Sequence, residues 1–407
     1  MIAASAGLDN AAGQVWDVLV VGAGPAGTLA ARQVALAGLR VLLVDAKGFP
    51  RPKVCGGCLN GQALAILQSV GLAAVPEILG GNLLNQFDVR SRGRRLRLAL
   101  PGGIAVSRFR LDEALVQSAM AAGAAFLPET SAFLGEICGN DRDEWRAVAL
   151  HGRDGRQVEA RARVMLAADG LAHLSLRNHP EFSSRVARGA LIGVGSLVTE
   201  YPAAYVPGTV FMAVGRHGYA GMTCVEEGRL NLAAAVVPEF VKDSGGLPLA
   251  IAAILDEAGF PPILSMVDAE WQGTLPLTRR TKQTAGRRVL LLGDAAGYVE
   301  PFTGEGMAWA FAAAVAVAPF VERGLDTWTC ALEHAWQRTL RRCVHGRQQW
   351  CRWLAFTLRH PLAIELAMRA TSLAPSLAAT IVRSLNRPPV PFPATRYENA
   401  STGTKPW

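Results

Sequence analysis

Charge is sparse in this 407-residue chain: Asp, Glu, Lys and Arg make up 18% of it, against about 25% in soluble domains generally. Lysine is scarcest, with none between Lys53 and Lys242. Seven cysteines are too few for a disulfide scaffold, and five of them stand singly. Free thiols in a reducing compartment are expected. No Cys or His pair stands opposite Cys55 and Cys58 at zinc-site spacing, so no metal is expected. No basic residue precedes Arg32, which leaves no charged flank for a secretory leader and points to a cytoplasmic chain. The longest apolar run, Met307 to Val321, is alanine-rich and interrupted by Pro319, a poor membrane span. Half the residues are hydrophobic, which excludes a disordered or collagen-like chain.

The net charge of +8 is unevenly placed. From Cys330 onward eleven Lys and Arg face three acids, so the first 329 residues sum to zero. That excludes a diffuse nucleic-acid-binding surface and leaves a basic C-terminal one. In that region Trp336, Leu340, Cys343, Trp350 and Leu354 share a helical stripe. Arg338, Arg341, Arg342, His345, Gln349 and Arg352 lie opposite. Such a helix either docks its apolar stripe on the body of the protein or makes peripheral contact with an anionic membrane. Docking is the favoured expectation. The length leaves the oligomeric state open.

The opening reads strand, turn, helix, strand. Asp17–Val21 is an apolar run, Gly22, Gly24 and Gly27 form G-x-G-x-x-G, a helical pattern follows to Leu39, and Val41–Val44 ends at Asp45. The first glycine permits the tight turn, the second lets backbone approach a pyrophosphate, and the third lets helix and strand pack closely. Asp45 stands where an acid for a ribose hydroxyl belongs, beside Ala46. Far downstream another apolar strand ends at Gly293-Asp294, and Gly304, Gly306 and Met307 lead into a helix. The acid suits a ribityl hydroxyl, and the glycine-rich helix start suits negative charge on a flavin. Between these lie strands over Phe87–Arg97, a helix after Arg108, strands over Ala147–Leu166, and alternating strands from Gly189 to Val237. After Gly304 helix is expected almost to Asn386, then a loose tail.

Together these segments resemble the FAD-binding group of aromatic hydroxylases, flavin-dependent halogenases and geranylgeranyl reductases. The resemblance implies a Rossmann-like α/β FAD domain and a mostly antiparallel β-sheet substrate domain. The FAD domain would span 1–80, 104–180 and 285–330, the substrate domain 81–103 and 181–284, and a helical C-terminal region 331–390, before a tail over 391–407. It further implies that Gly22, Gly24, Ala26, Gly27, Asp45, Ala46, Arg108, Asp169, Gly293, Asp294, Gly304, Gly306 and Met307 hold FAD. The loop Arg51-Pro-Lys-Val-Cys55-Gly56-Gly57-Cys58 resembles the geranylgeranyl-reductase branch, whose Cys-Gly-Gly loop stands beside the flavin. Cys55, Gly56 and Gly57 are therefore the candidate catalytic residues, with a redox dithiol or a structural loop as competing readings. Tyr219-Ala-Gly-Met resembles that branch's substrate hairpin.

Departures also discriminate. Asp169-Gly170 lacks the hydroxylase spacing to Ser175 and Arg177. The lysine gap and the absence of a Trp-x-Trp-x-Ile-Pro motif speak against a halogenase. Ile192-Gly-Val-Gly195 lacks a third glycine, so NAD(P)H or a partner reductase is expected as a transient electron donor. The leading expectation is C=C reduction of a hydrophobic isoprenoid or polyketide-type small molecule. Hydroxylation of a phenolic or polyketide ring and electron carriage at a membrane are the alternatives.

Overall fold

The computed structural model describes residues 2–140, 143–300 and 304–345. Two sheets dominate. In the first, five strands run parallel in the order Val289–Leu291, Gln157–Ala167, Val15–Val21, Val41–Val44, Ala125–Leu127. Their near-continuous apolar runs reflect burial on both faces. The helices Pro25–Leu36, Arg108–Ala121 and Gly306–Asp326 pack with this sheet. Chain order reverses at Val15–Val21, the place where open α/β sheets bind ligands. Register decides what meets there: Val21 pairs with both Val44 and Ala167, and Ala167 with Leu291. Gly22, Asp45, Ala168 and Leu292 therefore leave the sheet in one row.

The second sheet has seven strands in the order Gln272–Pro276, Ile192–Val198, Leu230–Val236, Gly218–Cys224, Thr209–Gly215, Gln86–Ser91, Arg94–Ala99. All neighbours are antiparallel except Thr209–Gly215 with Gln86–Ser91. Its outer side chains, including Phe211, Ala213, Ala220 and Met222, pack on the helix Leu247–Ala258. Period-two alternation then turns Met212, Val214 and Tyr219 to the opposite face, with Val89 and Leu96.

A buried latch helps join the two bodies. Glu226, at the Glu226–Gly228 turn, accepts from the Ser107 amide at 2.9 Å and from its hydroxyl at 2.5 Å. Ser107 also caps the helix Arg108–Ala121 by accepting the Arg110 amide.

The C-terminal helix differs from expectation. Helix Gly306–Asp326 stops at an extended Thr327, and a new helix, Cys330–Leu340, starts under a Thr329 cap. The break has a local cause: Trp328 folds against Gly324 and donates to Glu333 at 2.8 Å. A π-turn, Arg341–His345, follows Leu340. The stripe residues Trp336 and Leu340 are buried in the core, with Trp336 stacked edge-on to Phe320 at 5.3 Å. Gln349, Trp350, Arg352 and Leu354, the helix expected to Asn386 and the expected tail lie outside the described residues. Gly306–Asp326 is long and apolar enough to cross a membrane, but most of it is buried inside the protein as a core helix.

Candidate active site

The three glycines have different jobs. A side chain on Gly22, at φ +100°, would run into the Ala168 carbonyl at 2.3 Å. One on Gly27 would lie 1.9 Å from the Gly22 carbonyl, so only glycine lets the helix sit on the strand. Gly24 has an open flank, where a Cβ would meet only Arg108 Nη2 at 3.6 Å and Arg51 Nη2 at 3.9 Å. Gly24 also caps the helix Pro25–Leu36 with no side-chain acceptor for its first amides. Free N–H groups and two guanidinium groups thus face one spot, the chemistry of an anion site. Ala26 lies against Gly293, whose Cβ would come within 2.9 Å of it, so Gly293-Asp294 joins the same place.

Acids balance those cations. Asp45 accepts from the Ala23 amide at 2.7 Å and the Lys47 amide at 2.9 Å, which pins the glycine turn. Arg51 stands 3.5 Å from Asp45 and 3.6 Å from Asp112. Arg108 grips Asp112 with two bonds of 2.6 and 2.7 Å. Burial works against the Arg108 charge, but Asp112 outweighs it and raises the pKa above the usual range. Loss of hydration first, then the charges of Arg51 and Arg108, lower the Lys53 pKa against the pull of Asp294 and Asp45. Burial raises the Asp294 carboxyl, with Lys53 and Arg108 opposing.

Other expected residues sit differently. Asp169 touches the Gly22 turn through its backbone, while its carboxylate accepts the Ser175 amide at 2.8 Å. Its second oxygen is buried without a partner among the described residues. Ala46 lines a separate cleft of about 430 Å³ with Lys47, Glu129, Phe133 and His151. Met307 points into the core, leaving only its backbone to the glycine-rich turn.

The Cys55–Cys58 loop lies between the two sheets. Asn231, on the second sheet, donates to the Cys55 carbonyl at 2.8 Å, and the Val106 amide donates to Gly57 at 2.8 Å. Gly57 takes φ +70°, which a side chain would strain. A Cβ on Gly304 would meet Cys58 at 3.7 Å, so the loop abuts the turn that starts the helix Gly306–Asp326. Cys58 is the cysteine of the pair that lies at this turn. Its thiol donates to Gly56 O at 3.3 Å and lies 3.7 Å from Thr223 Oγ1. Burial, only partly offset by Thr223, pushes its pKa up to about 12. A thiol protonated at neutral pH is a poor partner for dithiol exchange.

A model of the FAD binding domain matches residues 15–245, more than half of the chain. The chain belongs to that family. The geometry agrees: the open Gly24 flank, and the buried Arg51 Nε and Asp169 oxygen that have no partner among the described residues, suit a bound dinucleotide. FAD is the cofactor, and the chain is an FAD-dependent oxidoreductase. Menaquinone reductase of Mycobacterium tuberculosis is 30% identical over 72% of this chain and 72% of its own length. Digeranylgeranylglycerophospholipid reductase 1 of Methanopyrus kandleri is 28% identical over 77% of this chain and 86% of its own. The fold is shared more widely. The flavin-dependent brominase Bmp2 superposes with a TM-score of 0.75 at 17% identity, covering 92% of this chain and 94% of that one.

Sequence reasoning passed over four residues of this flavoprotein's site. Arg51 and Asp112 were visible beside motifs, but their pairing across 61 positions appears only in the fold. Lys53 joins the same charge cluster. Tyr298 follows Gly297 and packs with Tyr219 on Leu191, Ala235 and Leu277, a meeting no local pattern encodes.

Proposed function

We propose that this flavoprotein reduces a C=C bond in a hydrophobic isoprenoid or polyketide-type compound. The placement of the Cys55–Cys58 loop supports this most directly: it is held against the Gly304 turn by the sheet whose inner face carries Met212, Val214 and Val89. The names of the two reductase relatives point the same way. Reduced FAD supplies a hydride when bound. Arg51, Arg108 and the first amides of Pro25–Leu36 hold its diphosphate, and Asp45 its ribose. The amides of the Gly304–Gly306 turn, at a helix N-terminus, stabilise negative charge. The apolar inner face excludes water from the reacting bond.

NAD(P)H or a partner reductase as electron donor belongs to the same proposal, as does peripheral contact of the exposed Arg338, Arg341 and Arg342 with anionic lipid. The test supplies electrons from dithionite, so the donor does not matter, with a prenylated naphthoquinone as probe. After the quinol that dithionite itself forms is re-oxidised in air, mass spectrometry should show an enzyme-dependent gain of two hydrogens on the prenyl chain without added oxygen. A product that forms only in air and carries one added oxygen would establish the hydroxylase instead.

A further inference from the structure

Lys53 is a charged group that the proposed chemistry leaves unused. Its loop is pinned on both sides. Arg51 pairs with Asp45 at 3.5 Å and with Asp112 at 3.6 Å, and Asn231 holds the Cys55 carbonyl at 2.8 Å. Between these anchors Val54 turns to the second sheet, where a Cβ on Gly195 would come within 3.4 Å of its Cγ1. Lys53, its neighbour, turns to the cofactor groove, where Arg51 and Arg108 repel its charge and Asp294 and Asp45 attract it. These four groups ring the Gly24 flank. Both guanidinium groups approach it directly, Asp45 accepts the Ala23 amide beside it, and Asp294 follows Gly293, which packs on Ala26.

The three cations differ in what already holds them. Arg108 commits two N–H groups to Asp112, and Arg51 bridges Asp45 and Asp112. Among the described residues no carboxylate stands within ion-pair distance of Lys53. Charge balance points the same way. Arg51, Lys53 and Arg108 face Asp45, Asp112 and Asp294, so without Lys53 a diphosphate would enter a cluster whose acids outnumber its cations. We infer that the Lys53 ammonium binds the FAD diphosphate, as the cation of this cluster that no carboxylate already holds. The assignment is independent of which substrate the flavin acts on. A lysine suits the place, because a compact charge on a flexible stem reaches a phosphate without the fixed fork of an arginine. Since Val54, next in the chain, rests on the second sheet, cofactor binding also fixes the Cys55–Cys58 loop.

The test follows FAD release from the oxidised holoenzyme, with no turnover. Fluorescence of freed FAD after dilution should appear about tenfold faster from Lys53→Met, the scale of one hydrogen bond to a charged group. Lys53→Arg should recover most of that loss. Potassium chloride should quicken release from the unmodified protein more steeply than from the Met protein, because screening acts on the charge that the variant lacks. The flavin midpoint potential should be the same in both, since the ammonium serves the phosphates and not the ring. In the unmodified protein, Lys53 should be protected from acetic anhydride while FAD is bound and lose that protection once FAD is dialysed away against bromide. That readout stands even if the Met protein folds poorly. Equal release rates from both proteins, or equal acetylation of Lys53 with and without FAD, would overturn the assignment. So would a shifted midpoint potential with unchanged release, which places the ammonium at the flavin ring.

Discussion

Among individual residues, space and charge separate roles that the glycine pattern alone runs together. A Cβ on Gly24 would meet only two guanidinium ends, at 3.6 Å and beyond, whereas one on Gly27 would lie 1.9 Å from a backbone carbonyl. Gly24→Val should therefore fold normally and lose FAD affinity by roughly tenfold or more, about 1.4 kcal/mol per factor of ten. Gly27→Ala should lower the melting temperature as well. Flavin absorbance after gel filtration, alongside calorimetry, distinguishes the two. The thiols divide in the same way. With a pKa of about 12, Cys58 should resist iodoacetamide at pH 8 in the native protein. Peptide mapping that finds the half-buried Cys58 alkylated as fast as the exposed Cys330 would contradict the raised pKa. Cys58→Ser should also disturb turnover, because Cys58 touches both Thr223 and the Gly304 turn. Those positions are legible in the sequence as a Cys-x-x-Cys loop, but which cysteine lies against the turn is settled by packing.

At the scale of elements, buried charge and buried aromatics lock strands and helices in place. Asp88, on the strand Gln86–Ser91, is almost fully buried and meets Arg90, Arg95 and Arg97. Burial opposes its charge, yet the hydrogen bonds from Arg95 and Arg90 hold its pKa below the ordinary carboxylate value. A carboxyl depressed by folding stabilises above its unfolded pKa, about 4, and that contribution fades as pH falls through the folded value. Asp88→Asn should thus lower the melting temperature at pH 7, and the gap to the parent should close below about pH 4. The helix Cys330–Leu340 is anchored by Trp336, fully buried, with its indole donating to Leu291 O at 3.3 Å. Trp336→Ala should cost about 3–5 kcal/mol, read from urea midpoints. An amphipathic pattern in the sequence finds this helix and its stripe. Its end at Leu340 and the break at Thr327–Thr329 depend on Trp328 folding back, a contact that periodicity does not encode.

For the whole molecule, the basic end matters through what remains exposed once the stripe is docked. Arg338, Arg341 and Arg342 are exposed, while Trp336 and Leu340 are not. Any attachment of this stretch to anionic lipid must then be electrostatic, about 1 kcal/mol per residue and screened by salt. Flotation with phosphatidylserine vesicles should show weak binding at low salt that vanishes at physiological ionic strength. Changing all three to Gln should remove it without loss of FAD. Absence of binding at low salt would leave the docked helix with a solvated basic face.

The sequence by itself determined the parts whose physics is local. Gly22, Gly24, Gly27 and Asp45 are read from one turn and its neighbouring strands, because steric room and register over some twenty residues decide them. The alternating strands before Val237 likewise follow from period-two burial. Tertiary structure decided what depends on distant segments meeting. It placed Arg51 between Asp45 and Asp112, and it latched Glu226 to Ser107. It also set Cys58 against Gly304 and Tyr298 beside the substrate sheet. Apart from Arg51 with Asp45, six positions away, each joins residues tens to hundreds of positions apart. Such meetings are fixed by how two sheets pack, and no local spacing records that packing.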